Sequence, residues 1–265
     1  MNSLLGAMQG RFTNKGGFFP QEFPWKNWKE EFWTAGKYNV DCLEWMFNAE
    51  RFYENPIWTD SGRHEIKNIV SESGVAVNSI CANYFMQYSI KEEKNSLSII
   101  SRLVEAAEML GIHQIIIPLF GASEILGVEL ICELFGKICG KLSQSQVYIG
   151  FESDLPAMVQ KSICDTLHTN KIGICYDVGN ATGNGHESAQ DVLVISESLL
   201  EIHLKDKYPD GGSVMLGDGA VDFESIFQNM KNWDKGVYIL ESYFGRDAER
   251  DTVKNIQYIR EKMNG

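Results

Sequence analysis

The sequence lacks three features that would place it in other classes of protein. Nowhere do 18 apolar residues follow one another, so we predict no membrane-spanning helix. The six cysteines include no Cys-x-x-Cys pair and several lie in apolar runs, which predicts reduced core thiols. Lys and Arg number 24 against 36 Asp and Glu, for a net charge of −12. This balance disfavours a nucleic-acid partner, because such partners require a basic surface.

We expect no targeting segment, since no basic stretch near the first residue precedes a long apolar one. We therefore predict a cytoplasmic protein with no membrane association. The 265 residues are 44% hydrophobic, and no Pro-rich or Ser-rich linker interrupts them. This length and composition predict one domain that spans residues 1–265.

Short β-branched runs alternate with amphipathic segments along the chain, a pattern typical of repeated βα units. We expect eight strands, near residues 4–9, 40–45, 75–83, 113–119, 147–152, 172–177, 200–205 and 237–242. Between them, apolar stripes such as Leu97, Ile100 and Val104 predict helices that pack outside the strands. Eight strands close a barrel, so the predicted fold class is α/β, a single-domain (β/α)8 TIM barrel.

Four of the expected strands each end in one potential metal ligand, in the order Glu152, Asp177, His203 and Glu241. The intervals of 25, 26 and 38 residues leave room for a loop, a helix and a return to the next parallel strand. We therefore expect the four side chains to converge at one end of the barrel. Carboxylate and imidazole ligands in an open site suit one divalent metal ion such as Mn²⁺, Mg²⁺, Co²⁺ or Zn²⁺. This indicates a metalloenzyme.

The sequences around these ligands are GFESD, CYDVGN, EIHLKD and ILES, and they resemble the xylose-isomerase-like TIM-barrel superfamily, in particular its sugar phosphate isomerase/epimerase branch. The resemblance covers the whole chain and includes MQGR, DCLEW, NSICANYF, His-x-Lys-Asp at 203–206 and Gly-Asp-Gly-x-Val-Asp-Phe at 217–223. It implies that Glu152, Asp177, His203 and Glu241 bind one divalent metal, as in epimerases of the D-tagatose 3-epimerase type. It also implies that the two Glu residues move protons and that the substrate is a small carbohydrate.

The chemistry of such enzymes gives an independent reason for this set of residues. A proton on the carbon next to a ketone leaves only if the developing enediolate is stabilised, which a metal contacting both oxygens achieves. One carboxylate then removes the proton, and a second on the opposite face returns one with inverted configuration. Glu152 and Glu241 are thus the candidate catalytic residues of an isomerase or epimerase of a sugar or sugar phosphate. The sequence does not separate these two reactions.

Three positions depart from some relatives, and in those relatives all three contact the substrate. Asn180 stands where they have a His, Met158 where they have a Glu, and Pro209 where they have an Arg. The resemblance therefore supports the metal and proton-transfer residues but leaves the sugar open, including whether it carries phosphate.

Other residues near the expected strand ends are candidates for substrate binding. Arg11 follows strand 1 and suits a carboxylate or phosphate, although a loop Arg is also an ordinary solvated charge. Glu44 is expected to end strand 2, where it either faces the site or pairs with a Lys. Asn83 follows strand 3, where it either hydrogen-bonds substrate hydroxyls or stabilises a turn.

Two further candidates lie near the last two ligands. Lys205 faces the same side of its strand as His203, because side chains alternate along a strand. Arg246 follows Glu241 by five residues and either reaches an anionic group or pairs with a nearby acid. Asp206 is expected to orient the long loop 206–222.

Three other functions are alternatives to the isomerase or epimerase. An inosose-dehydratase-like lyase on the same fold would use the enediolate to expel a β-hydroxyl. A nuclease resembling endonuclease IV needs three zinc ions and more His ligands than five His residues supply. A non-catalytic sugar-binding barrel would be expected to have lost a ligand, and none is lost. The aromatic-rich segment 18–28 either closes over a ligand or packs against a partner subunit, which would make a homodimer possible. Within it, Trp28 is expected to belong to a core stripe of the first helix, together with Phe32 and Ala35.

Overall fold

The computed structural model describes residues 3–13, 22–124, 127–142, 144–209, 211–233 and 236–264. Within these ranges, eight strands form one closed barrel: β1 (Leu4–Met8), β2 (Cys42–Met46), β3 (Ala76–Cys81), β4 (Gln114–Pro118), β5 (Tyr148–Glu152), β6 (Ile172–Asp177), β7 (Leu199–Leu204) and β8 (Val237–Leu240). The predicted (β/α)8 TIM barrel is confirmed. Each predicted strand is present, with its ends shifted by at most two residues.

Every neighbouring pair of barrel strands is parallel, and β1 pairs with both β2 and β8, which closes the barrel. The strands are β-branched runs buried on both faces, as in Ile115 to Ile117 of β4, which have no exposed surface. Parallel pairing brings all eight carboxyl ends to one rim. In TIM barrels this rim carries the active site.

Helices surround the barrel and follow the apolar stripes seen in the sequence. They are α1 (Trp28–Lys37), α2 (Asp60–Ser73), α3 (Tyr84–Gln87), α4 (Glu93–Leu110), α5 (Val128–Leu142), α6 (Ala157–Leu167), α7 (Val178–Gly183), α8 (Ser188–Ile195), α9 (Phe223–Asn229) and α10 (Ala248–Asn264). In α4, Ile100, Val104 and Ala107 are buried against the core. Gly111 ends this helix with a φ of 71°, a left-handed conformation that glycine adopts without strain.

Asp206 organises the long loop that follows β7, as predicted. Its carboxylate accepts hydrogen bonds from the backbone N–H groups of Lys207, Gly217, Gly219 and Val221, at 2.9 to 3.1 Å. A short antiparallel ribbon, Asp206–Lys207 with Ser213–Val214, forms the base of the loop. One buried carboxylate thus holds together backbone groups that are up to 15 residues away along the chain.

Replacement of Asp206 by Ala is expected to destabilise the protein by about 2 to 4 kcal/mol, because one buried and three partly buried N–H groups lose a charged acceptor. Asp218→Ala in the same loop is the matched control, since that side chain is exposed. Urea unfolding of both variants measures the difference. Equal stability of the two variants would contradict the organising role of Asp206.

The aromatic segment near the start of the chain falls partly outside the described residues, which exclude Phe18 and Phe19. Of its described members, Phe23 and Trp28 are buried and pack against Trp45, with ring centroids 5.2 and 5.4 Å apart. These two rings belong to the core. Within the described ranges, none of the helices combines the length and apolar character needed to cross a bilayer. All six cysteines are free thiols.

Candidate metal centre and active site

The structure brings together the four residues that the sequence predicts as metal ligands. Glu152 and Asp177 are the last residues of β5 and β6, His203 lies near the end of β7, and Glu241 directly follows β8. One ligand atom from each lies within 4.8 Å of the others, and all four side chains are buried. We call these four residues the donor set.

Strand register explains this convergence. Asp177 pairs directly with His203 across β6 and β7, and Ile239 of β8 pairs with His203 on its other side. Glu152 lies three strands away from Glu241 around the ring, so the two carboxylates approach the barrel axis from different sides. A ligand above the donor set would therefore have one Glu on each flank.

The imidazole of His203 stands at the centre of the cluster. Its Nδ1 lies 2.8 Å from Glu241 Oε2 and 3.8 Å from Glu152 Oε2. Its Nε2 points the other way, 3.2 Å from Glu201 Oε1 and 3.3 Å from Glu44 Oε2. One ring nitrogen thus faces the donor set, and the other faces two carboxylates deeper in the barrel.

Lys205 links two members of the donor set. Its Nζ lies 2.6 Å from Asp177 Oδ2 and 2.8 Å from Glu241 Oε1. With a neutral imidazole, the three carboxylates of the set and this one ammonium leave two net negative charges, which one divalent cation balances. Three carboxylates and one imidazole also suit Mn²⁺, Co²⁺ or Zn²⁺ as ligands. The residues present therefore fit the predicted metal ion.

In the metal-free protein, the surroundings shift the pKa values of Glu152 and Glu241 in opposite directions. Burial raises the pKa of Glu152 to about 8. Burial also acts on Glu241, but the ammonium of Lys205 and the His203 ring outweigh it and hold the pKa of Glu241 well below its usual value. Burial opposes the charge of Lys205, yet Asp177 and Glu241 raise the pKa of Lys205 above its ordinary value. The two Glu carboxyls thus sit in electrostatically different places.

A cavity of about 210 Å³ opens above the donor set. The described residues that line it are Met8, Cys81, Asn83, Met86, Pro118, Phe120, Glu152, Asp154, Asn180, Lys205 and Glu241. The lining combines two methionines, a proline and a phenylalanine with polar and charged side chains. Such a cavity suits a small molecule that has both hydroxyl and C–H groups.

Two of the predicted substrate-binding residues line this cavity. Lys205 reaches it from the end of β7, and Asn83 reaches it from the start of α3. Asn83 Oδ1 accepts a hydrogen bond from the Cys81 thiol at 3.1 Å, which leaves its amide N–H groups available to a ligand.

The other three predicted substrate-binding residues are not among the described residues that line the cavity. Glu44 was expected to end its strand, which is wrong: β2 continues to Met46, and Glu44 is fully buried beneath the donor set. Arg11 is also fully buried, with its guanidinium 5.8 Å from the centre of the Phe244 ring. Arg246 is exposed on the loop after β8. Their roles in substrate binding stay predictions.

Sequence reasoning missed three acidic residues around the site. Glu201 precedes His203 by two residues, so the alternation that turns His203 inward also turns Glu201 inward, and this signal was available. Asp154 lines the cavity just beyond Glu152. Glu31 lies within the apolar stripe of α1, where it accepts N–H hydrogen bonds from Gly10 and Thr13, and burial raises its pKa to about 7.

Comparison with known proteins identifies the family of this chain. Residues 34–262 match the sequence family described as Xylose isomerase-like TIM barrel. The chain belongs to this family. The resemblance seen in the sequence motifs is thereby confirmed.

The individual proteins to which this chain is similar are distant from it in sequence. L-ribulose-5-phosphate 3-epimerase UlaE of Shigella flexneri is 24% identical over 227 residues, covering 78% of this chain and 79% of that protein. The D-psicose 3-epimerase of Clostridium cellulolyticum H10, solved with D-tagatose, has a TM-score of 0.74 at 13% identity and covers 98% of this chain and 99% of that one. Both relatives are isomerase-class enzymes.

A third similar protein was solved with a metal. The IOLI protein, whose crystal structure has a bound zinc atom, has a TM-score of 0.71 at 12% identity, covering 98% of this chain and 96% of that one. At these identities, the likeness to the two solved structures shows a shared fold.

Proposed function

We propose that this chain is a metal-dependent epimerase or isomerase of a sugar or sugar phosphate, with Glu152 and Glu241 as its proton-transfer groups. The observation that carries the proposal is the donor set itself. Four buried ligand atoms lie within 4.8 Å of one another, and Glu152 and Glu241 also line the cavity above them. The same two carboxylates are thus in position to hold a cation and to contact a substrate.

The proposed chemistry divides between the metal and the chain. A divalent cation held by Glu152, Asp177, His203 and Glu241 would polarise the substrate carbonyl and stabilise the negative charge of an enediolate. Glu152 and Glu241 then act as acid and base on the carbon next to that carbonyl, one from each flank. Removal on one face and return on the other inverts the carbon. Lys205 forms ion pairs with Asp177 and Glu241 and keeps both carboxylates oriented.

The substrate class follows from the relatives and from the cavity. The relatives named above are 3-epimerases of a ketose phosphate and of a ketose. A cavity of about 210 Å³ with a mixed polar and apolar lining accommodates a small sugar. The N–H groups of Gly217 and Gly219 donate to Asp206, so they are not available to a phosphate group. Any phosphate would be bound by other groups.

The test is deuterium exchange in D₂O, followed by NMR, with Mn²⁺ present. The panel contains L-ribulose 5-phosphate, D-tagatose and D-psicose, together with the phosphorylated or free form of each sugar. The expected result is deuterium on the carbon next to the carbonyl of at least one sugar and formation of its epimer or isomer. The double variant Glu152→Gln with Glu241→Gln is the control and is expected to exchange nothing.

The same experiment separates the alternatives. Loss of a hydroxyl from the product would identify a lyase of the inosose dehydratase type instead. Ligand binding with no exchange by any sugar of the panel would favour the non-catalytic sugar-binding barrel and contradict the proposal.

A further inference from the structure

Below the donor set, two buried carboxylates face one nitrogen of the His203 ring. Glu201 Oε1 and Glu44 Oε2 lie 3.2 and 3.3 Å from Nε2. All three side chains have 0% exposure. A neutral imidazole carries a single N–H, and buried carboxylates are costly unless a donor reaches them. In the metal-free protein both ring nitrogens face carboxylates, since Nδ1 lies 2.8 Å from Glu241 Oε2. A ring that binds a cation through Nδ1 carries its single N–H on Nε2, where Glu201 and Glu44 are placed to accept it.

We propose that Glu201 and Glu44, the lower carboxylate pair, are positioning residues that hold the His203 proton on Nε2 and present Nδ1 as the metal ligand. This inference rests on the proposed function, because it assigns the pair to the metal centre. Acceptors behind a ligating His fix its ring orientation and its tautomer and make it a more basic ligand. The pair acts through His203 and does not touch the substrate cavity.

Two irregularities of the barrel lie beside the lower carboxylate pair. The register of β2 against β3 shifts between Leu43 and Glu44. The register of β6 against β7 shifts between Ile174 and Cys175, and Cys175 is the residue that pairs with Glu201. Such bulges re-aim side chains and are common next to active sites. Both members of the pair are therefore placed by local departures from regular strand pairing.

Each carboxylate of the pair is held from behind by a side chain of β3. Asn78 Nδ2 donates to Glu201 Oε2 at 3.2 Å, and Ser79 Oγ donates to Glu44 Oε1 at 3.4 Å. The remaining oxygen of each carboxylate is directed at Nε2. Cys175 also contacts the ring, but burial raises the pKa of this thiol, and a neutral thiol is a weak acceptor.

Glu201 and Glu44 are both placed to accept the same N–H group of His203. The effect of removing one carboxylate on metal affinity therefore depends on whether the other is present. If Glu201 is removed, Glu44 Oε2 still lies 3.3 Å from Nε2 and takes over as acceptor. If Glu44 is removed, Glu201 remains in place. Loss of both leaves no carboxylate to hold the proton on Nε2, so the double change has a larger effect than the two single changes combined.

The experiment measures Zn²⁺ affinity by chelator competition in Glu201→Met, Glu44→Met and the double variant. We expect each single variant to lose less than about tenfold in affinity and the double variant to lose about 100-fold. Glu201→Gln is the conservative variant and is expected to bind nearly as tightly as the wild type, because its amide oxygen still accepts the N–H. Thermal unfolding of each variant tests for a merely structural role, since replacing a buried carboxylate by an apolar side chain is often neutral or stabilising.

Long-range ¹H–¹⁵N NMR spectra of the Zn²⁺-loaded wild type report the tautomer of the His203 ring. The signals of His203 are assigned as those that are missing from the spectrum of His203→Gln. The expected result is a proton on Nε2 and none on Nδ1. A proton on Nδ1, or a double variant that binds Zn²⁺ as tightly as the wild type, would overturn the positioning role and leave the metal centre intact. The positioning role would also be overturned if the Met variants lost Zn²⁺ affinity only in proportion to their loss of thermal stability and Glu201→Gln did not restore the affinity. A wild type that binds no Zn²⁺ contradicts the proposed function as well.

Discussion

Replacement of Glu152 by Gln is expected to lower turnover by about two to four orders of magnitude while much of the metal binding is retained. The amide keeps an oxygen at the position of the carboxylate but cannot accept or donate a proton in the reaction. Glu241→Gln is expected to behave in the same way, and its amide oxygen can still occupy the place of Glu241 Oε2 beside Nδ1. Steady-state kinetics with the substrate found by deuterium exchange provides the measurement.

The two variants also serve as controls for each other. If the two Glu residues act on opposite faces, each single variant retains one working base. Each variant is then expected to exchange deuterium from one of the two epimers without converting it, and the two variants are expected to differ in which epimer they exchange. Near wild-type turnover in either variant would refute the two-carboxylate mechanism.

His203→Ala is expected to reduce bound metal from about one equivalent per chain to below about a tenth after dialysis, and Asp177→Asn is expected to lower it to a smaller extent. The first change removes one of four ligands, and the second replaces a charged oxygen ligand by a neutral, weaker one. Asn at position 177 can still accept the hydrogen bond that Asp177 Oδ1 receives from the N–H of Asn180, at the start of α7. Elemental analysis after Mn²⁺ or Zn²⁺ loading gives the metal content.

Asp154→Asn is the matched control for Asp177→Asn. Asp154 lines the same cavity, and its replacement by Asn removes the same charge, but Asp154 does not belong to the donor set. Its variant is expected to keep about one equivalent of metal. If all three variants keep the metal, the assignment of the donor set is wrong.

The sequence predicted the barrel well because the strands are short, apolar and spaced regularly. The same regularity placed Glu152, Asp177 and His203 on one rim, since parallel strands put their carboxyl ends together. The organising role of Asp206 also followed from its place after the last residue of β7, and its hydrogen bonds confirm it. These features depend on local pattern and on a fold with few alternatives.

The parts that the sequence did not predict depend on contacts between distant segments. Glu44 was expected near the end of its strand, because the pattern does not show that β2 runs to Met46 or that its register against β3 shifts beside Glu44. Arg11 was expected at the cavity, yet the loop after β1 turns it into the core beside Phe244. No periodicity encodes such a turn.

The position of each group along its strand also bears on how new specificities arise. The donor set and the lower carboxylate pair lie on barrel strands or at their ends, where a change disturbs several neighbours at once. Asp154 and Asn180, by contrast, reach the cavity from segments that follow β5 and β6. Mutations there can alter which hydroxyl groups are recognised without dismantling the centre below. The residues of the proposed metal centre thus lie on the barrel strands or at their ends, whereas residues on the segments that follow the strands help to line the cavity. Such a division allows substrate specificity to change while the reaction chemistry is retained.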